Sequence, residues 1–317
     1  MKHKLAGFIL FLMISFESSA LANKLTHVIA FADVEKAKEL LVQDDAFTNS
    51  WSTFDIDARM HKKNSTKEEL FRFISEQCRS WTNKEKEKIN SACADIEDHI
   101  KIQGLKLDFP EEVLFIKTTA REEGGAGGYT RSSYIVLKDD VMTMDDNELT
   151  RIITHELFHI LTRNNQEFRK AMYKIIGFKL MNSEDYPDVI KPYRITNPDA
   201  PQTDSYITLK VDGQSVDCMM ILFANQAYSG GDFFQYLRIG FLKLQGDSIK
   251  SAAYLENKPV IFTLNQVNGF YEQVGKNTQY IIHPEEIMAD NFTFAILNIK
   301  ELPNPEIPEA IKAVLQE

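Results

Sequence analysis

The chain is poor in the residues that build thiol chemistry. Three cysteines, at positions 78, 93 and 218, occur in 317 residues, and no two stand in a Cys-x-x-Cys pair. A thiolate metal site and a dithiol redox motif both need such pairing, so neither is expected. There is no cluster of Lys or Arg, and acidic residues outnumber basic ones 46 to 36, for a formal charge of −10. Nucleic acid and anionic membrane surfaces are therefore not expected as partners. After residue 22 no apolar run approaches the roughly 20 residues that span a bilayer. Internal repeats and low-complexity tracts are absent as well. What remains is a chain with 44% hydrophobic residues, long enough to bury a substantial core in one large or two small domains.

The first residues do carry an apolar run. Met1-Lys2-His3-Lys4 is a short basic start, Ala6 to Phe16 is apolar, and Ala20-Leu21-Ala22 has the small-x-small pattern at which leader peptides are cut. The expectation is a signal peptide over residues 1–22, cleavage after Ala22, and an exported protein, periplasmic or secreted, with no stable membrane insertion after cleavage. Removing Lys2, Lys4 and Glu17 takes basic residues from 36 to 34 and acidic from 46 to 45, so the formal charge becomes 34 − 45 = −11. In an oxidising compartment Cys78 and Cys93 are expected to pair and Cys218 to stay a buried thiol.

The chain's most informative stretch is Thr154-His155-Glu156-Leu157-Phe158-His159, a His-Glu-x-x-His pattern. Residues four apart stack on one helix face, so His155 and His159 can present two imidazoles to one metal ion. Glu156 lies beside that pair, where it can take a proton from water at the metal. At 100° per residue, Leu149, Ile153, Leu157, Ile160 and Leu161 fall on the opposite face, which predicts a helix from about Asp146 to Thr162 with its back in the core. Asp145, three residues before Glu148, suits the start of that helix.

A hydrolytic zinc site has three protein ligands and one open position. The third is sought in His283-Pro284-Glu285-Glu286-Ile287-Met288-Ala289-Asp290, where Pro284 begins a helix and Glu286 and Asp290, four apart, share a face. With this pair the chain resembles the gluzincin class of zinc metallopeptidases, in which the His-Glu-x-x-His helix is followed by a helix bearing Glu-x-x-x-Asp. The resemblance implies that His155, His159 and Glu286 hold one Zn2+ per chain, that Glu156 is the general base, and that Asp290 orients a ligand imidazole. The Gly and third His that extend the motif in Met-turn peptidases are missing after His159, as is the Gly-x-Met-Glu-Asn signature of gluzincin aminopeptidases. An oxyanion donor is also needed; His283, Tyr193, Arg194 and Tyr206 are the candidates, and the sequence does not choose among them.

The remaining pattern is α+β. Helices are expected at Val34–Val42, Lys67–Ser80 and Asn83–Ile100, the last two as a charged hairpin with Phe71, Phe73, Ile74, Ile89 and Ile96 turned inward. Strands are expected at Val113–Ile116 and Ser133–Leu137, separated by a turn with four glycines between residues 124 and 128. A helix from Gln166 to Ile176 should end at Gly177. The organisation expected is a leader at 1–22, a helical N-terminal region at 23–108 and a zincin-like catalytic region at 109–317 with a small, mostly antiparallel or mixed sheet. The exposed edge of Ser133–Leu137 is expected to pair with an extended substrate. The function expected is hydrolysis of peptide bonds in a peptide or protein substrate. Hydrolysis of a non-protein amide and a non-catalytic zinc-binding role are the alternatives.

Overall fold

The computed structural model describes residues 24–181 and 186–316; the expected leader and its cleavage point lie outside the described residues. The chain opens with a single helical turn, α1 (Leu25–Val28), and strand β1 (Ile29–Phe31). Four helices follow, α2 (Val34–Leu41), α3 (Ala46–Asn49), α4 (Thr53–Arg59) and α5 (Lys67–Gln77). Then come a two-residue strand β2 (Cys78–Arg79) and the long helix α6 (Asn83–Ile102). Side chains fix most of these starts. Asp33, Asp45, Ser52, Thr66 and Thr82 each accept a hydrogen bond from the backbone N–H three residues on, satisfying a donor that the helix itself leaves free.

Strands β3 (Val113–Thr118), β4 (Gly128–Arg131) and β5 (Tyr134–Lys138) complete a first, mixed sheet in the order β1-β3-β5-β4. β1, β3 and β5 run parallel, β4 runs antiparallel to β5, and β2 pairs antiparallel with the far end of β3. Residues on both sides of position 108 therefore share one hydrogen-bonded sheet. Period-two alternation sends Val113, Phe115, Ile135 and Leu137 to one face and Leu114, Ile116, Tyr134 and Val136 to the other.

Those faces correct the expected helical hairpin. Helix α6 packs on the first face through Ile89, Cys93 and Ile96, whereas α5 packs on the second through Leu70 and Ile74. Between them the chain passes through β2 at the sheet, so the two helices cannot lie against each other. Cys78 and Cys93 consequently sit in separate apolar clusters, and both are free, as is Cys218. Burial pushes the Cys78 thiol up to about 11 and Cys218 up to about 12, which keeps them protonated and unreactive. The expected substrate-pairing edge is corrected too. β5 is paired on both sides, and the strand with the free edge is β4, which begins within the glycine-rich stretch.

Helix α7 (Asp146–Asn164) carries the two motif histidines, and Asp145 caps it by accepting from Glu148 N at 3.0 Å. Helix α8 (Gln166–Ile175) follows and ends before Gly177, whose φ of +79° suits a residue without Cβ. The chain then builds a second, antiparallel sheet from β6 (Phe178–Leu180), β7 (Ser205–Val211), β8 (Gln214–Ala224), β9 (Leu237–Gln245) and β10 (Ser251–Ala252). A hairpin of β11 (Tyr254–Leu255) and β12 (Lys258–Pro259) precedes β13 (Ile261–Phe262), which returns to pair with β9. A short turn, α9 (Tyr271–Val274), leads to α10 (Pro284–Ile296) and α11 (Glu306–Gln316). Helices α6, α7, α8, α10 and α11 share one apolar core with a face of each sheet. The architecture is mixed α and β with two open sheets.

Three buried, unpaired thiols give a direct prediction. Protein unfolded in guanidinium without reductant should titrate three thiols per chain. A value of one would restore the Cys78–Cys93 bridge.

Candidate metal centre

Helix α7 presents the face anticipated from its spacing. Leu149, Ile153, Leu157, Ile160 and Leu161 are buried in the core, and His155 and His159 project on the other side with ring centroids 4.9 Å apart. Helix α10 packs across α7, with Phe158 and Phe292 in contact at 5.4 Å between ring centroids. Its first turn is set by His283 and Pro284. The proline fits a position whose N–H has no helical partner, and His283 Nδ1 accepts from Glu285 N at 3.1 Å. That turn delivers Glu285 and Glu286 to the histidines.

The two imidazoles are held alike. His155 Nδ1 faces Asp290 Oδ1 at 3.0 Å and His159 Nδ1 faces Glu285 Oε1 at 3.2 Å, so each ring has a carboxylate to take its Nδ1 proton. Both Nε2 atoms then point to one place, where Glu286 Oε2 stands 3.1 Å from His155 Nε2 and 3.7 Å from His159 Nε2. His159 Nε2 is fully buried without a hydrogen-bond partner. One ligand atom from each of His155, His159 and Glu286 lies within 4.8 Å of the others, close enough to bind a single metal ion.

Glu285 is the residue the sequence argument passed over. Because neighbouring helical residues point about 100° apart, Glu285 and Glu286 reach opposite nitrogens of His159. Glu285 Oε2 accepts from Tyr173 OH at 2.6 Å, and Oε1 accepts from Thr162 Oγ1. Burial would raise its pKa, but His159 and Arg169 outweigh burial and hold it below the usual carboxylate range. Its partners Thr162, Arg169 and Tyr173 lie on α7 and α8, so no local spacing in the sequence points to it.

Glu156 lies beside the edge strand β4. Thr130 Oγ1 donates to Glu156 Oε2 at 2.8 Å, and a Cβ on Gly128 would stand 3.0 Å from Glu156 Oε1. Gly128 thus lets the strand approach the carboxylate closely, which gives one glycine of the 124–128 stretch a specific purpose. A second unanticipated residue is Asp199, on the loop after residue 193. It accepts from Thr130 N, and it forms with Glu156 and His159 another set of possible ligand atoms within 4.8 Å. Asn197 of the same loop donates to Glu286 Oε1 at 2.5 Å.

Burial and the crowding of carboxylates around two imidazoles set the electrostatics of the cluster. Burial and neighbouring Asp199 push Glu156 up to about 7. Burial and Glu286 push Asp199 well above the carboxylate range. Burial disfavours charge on His155, yet its bonds to Asp290 and Glu286 carry it well above the ordinary imidazole value. Glu286 itself, despite burial, is held down at about 2 by His159 and His155. A cation at the point where the Nε2 atoms and Glu286 converge would answer all of these. The donor set and the unpartnered His159 Nε2 therefore fit a metal ion.

The four oxyanion candidates are placed elsewhere. His283 is the buried cap of α10, with burial lowering its pKa to about 4. Arg194 Nη2 donates to Pro201 O at 3.0 Å and its guanidinium stacks over Tyr186. Tyr193 lies at the exposed end of a single 3-10 turn, and Tyr206 on β7 lies under Lys179 and Lys250. The hydroxyl nearest in kind is Tyr280, half exposed, with its ring centroid 6.4 Å from that of His155. Its hydroxyl end is desolvated beside the carboxylates Glu286 and Asp199, which pushes the phenol upward, so it remains a proton donor. Comparison with protein-family models, with curated proteins and with solved structures finds no match for this chain.

Glu285 is expected to act on the metal through His159. Glu285→Gln should lower metal affinity by about 10–100-fold, read by competition with a chelating dye. Unchanged affinity in a folded variant would show that the His159–Glu285 contact does not tune the site.

Proposed function

We propose that this protein is an exported zinc-dependent peptidase with a zincin-like, gluzincin-type centre. The observation that carries the reading is the position of Glu156. It stands beside the two imidazoles, bonded to Thr130 on the edge strand β4, and a purely structural metal site needs no such base. Zinc is preferred over magnesium or calcium because two of the three donors are imidazole nitrogens. The basic, apolar and small-x-small order of residues 1–22 supports export.

A zinc ion bound there would supply Lewis acidity, lowering the pKa of water toward about 7 and polarising a carbonyl. The chain supplies the rest. Glu156, beside the two imidazoles and bonded to Thr130, stands where it can accept a proton from the attacking water and return it to the leaving amine. The edge of β4 offers backbone groups to align an extended peptide. Tyr280 replaces the four earlier candidates as the hydroxyl that would donate to the developing oxyanion. Asp290 and Glu285 keep both imidazoles turned so that their Nε2 atoms meet.

Asp199 favours a second reading. Its carboxylate within reach of His159 would make a fourth protein ligand, and a four-ligand site is closed and structural. Substitutions separate the two. Under the peptidase reading, purified protein holds one zinc per chain and cuts a mixed peptide library, and Glu156→Gln keeps the metal while losing about 10²–10⁴-fold in rate. Asp199→Ala should keep the metal as well. Loss of zinc from Asp199→Ala, with no cleavage by the parent protein, would establish the closed site instead.

A further inference from the structure

Beside the metal cluster lies a cavity of about 120 Å³ that the site chemistry does not use. Its apolar wall is made by Ile195, Leu222, Phe233, Leu237 and Ile282. Behind Phe233 stands a packed aromatic set, with Phe54 5.2 Å from Tyr236 and 6.3 Å from Tyr228 between ring centroids, which fixes the wall's shape. Small residues open the other side: Gly124, Ala126 and Gly128 of the glycine-rich stretch all line it. Gly128, Asp199 and Tyr280 belong to both the cavity and the surroundings of the metal cluster, so the two are continuous.

The buried charges of the wall, Arg59 and Glu123, are already paired. Arg59 Nη1 pairs with Asp55 at 2.7 Å, and Arg59 Nη2 pairs with Glu123 at 2.8 Å. Both Glu123 oxygens also accept from Arg59 Nε, at 3.1 and 3.2 Å. An incoming carboxylate or ammonium would have to break this buried pair to reach Arg59 or Glu123, a poor exchange in a desolvated place, and the remaining cation, Arg121, is at the exposed rim. An apolar side chain has no such requirement. In size, apolar cavities on the order of 150 Å³ accept benzene, so a leucine side chain or a phenyl ring is the scale that fits here.

We infer that this cavity is the pocket that selects the substrate, taking a leucine- or phenylalanine-sized apolar side chain next to the bond that is cut. The assignment rests on the peptidase reading for its position in the reaction. Its binding chemistry follows from the cavity alone. Ile195, Phe233, Leu237 and Ile282 set specificity by shape, and the glycines and Ala126 hold the entrance open.

The test has two arms. In the first, metal-loaded full protein is titrated with N-acetyl amides of leucine, phenylalanine, alanine, lysine and glutamate, followed by NMR. The leucine and phenylalanine amides should bind at least 10-fold more tightly than the other three. Leu237→Trp, which fills the cavity, should abolish that preference, and Phe233→Ala, which enlarges it, should move the preference toward larger rings. Equal binding of all five amides, or preference for lysine, would overturn the pocket. In the second, peptides varied at the residues flanking the cut should lose about 10–200-fold in kcat/KM when leucine is replaced by alanine at one of them. If the amides bind as described but no peptide is cut, the pocket stands and the peptidase reading fails. If peptides are cut with no apolar preference at any flanking residue, the reverse holds.

Discussion

The site depends on burying carboxylates against imidazoles where two helices cross. Glu285, Glu286 and Asp290 come from the first two turns of α10, and His155 and His159 come from the middle of α7. Glu285 and Glu286 are each less than 3% exposed, and an unpaired carboxylate so placed would cost several kcal/mol. The cluster is tolerable because almost every oxygen has a stated donor: Thr162 and Tyr173 for Glu285, Asn197 for Glu286, and Thr278 for Asp290. Those donors come from α7, α8, the loop around residue 197 and the segment leading into α10. The surrounding fold is thus constrained by the demand to satisfy the six oxygens of three carboxylates around two rings.

A second constraint is distance between backbone and base. β4 passes close enough to α7 that a methyl group at residue 128 would stand against the Glu156 carboxylate. The same strand supplies Thr130, whose hydroxyl bonds Glu156 while its N–H bonds Asp199. One short strand therefore orients the Glu156 carboxylate and holds the loop carrying Asp199. Such economy follows from period-two geometry, because residues 128 and 130 project to the same side.

How much of this was legible follows from how local each signal is. The His155–His159 face, the buried back of α7 and the Glu286–Asp290 pair are all set by i, i+4 spacing within one helix, and each could be read directly. Glu285 could not, because its partners lie on α7 and α8 and meet it only after the helices pack. The edge strand was hidden by its own glycines, which read as a turn although Gly128 begins the strand. The supposed hairpin of α5 and α6 failed for a similar reason. Two residues, Cys78 and Arg79, add to the sheet and divert the chain from one face to the other, and so short a strand leaves no periodic pattern. The oxyanion candidates rest on chemical type near the motifs in sequence, a criterion blind to direction, and it does not reach Tyr280, whose ring lies 6.4 Å from that of His155.

The second sheet has a different relation to the chemistry. Its strands supply none of the three metal-directed side chains, yet β8 and β9 contribute Leu222 and Leu237 to the cavity wall. The loop that enters this sheet brings Asn197 and Asp199 to the metal cluster, and Arg163 of α7 ties it down through Pro198 O and Asp199 O. Metal-directed and proton-directed side chains therefore reside on rigid helices and one strand, whereas the surface that meets the cavity comes from a separate sheet. Because the wall is made of side chains that bond neither histidine nor Glu286, its shape can change without disturbing the ligand geometry. Substitution at Leu237 or Phe233 then alters the cavity, and substitution at Glu285 or Asp290 alters what holds the two imidazoles. The two kinds of effect are separable because the fold keeps their residues on different elements.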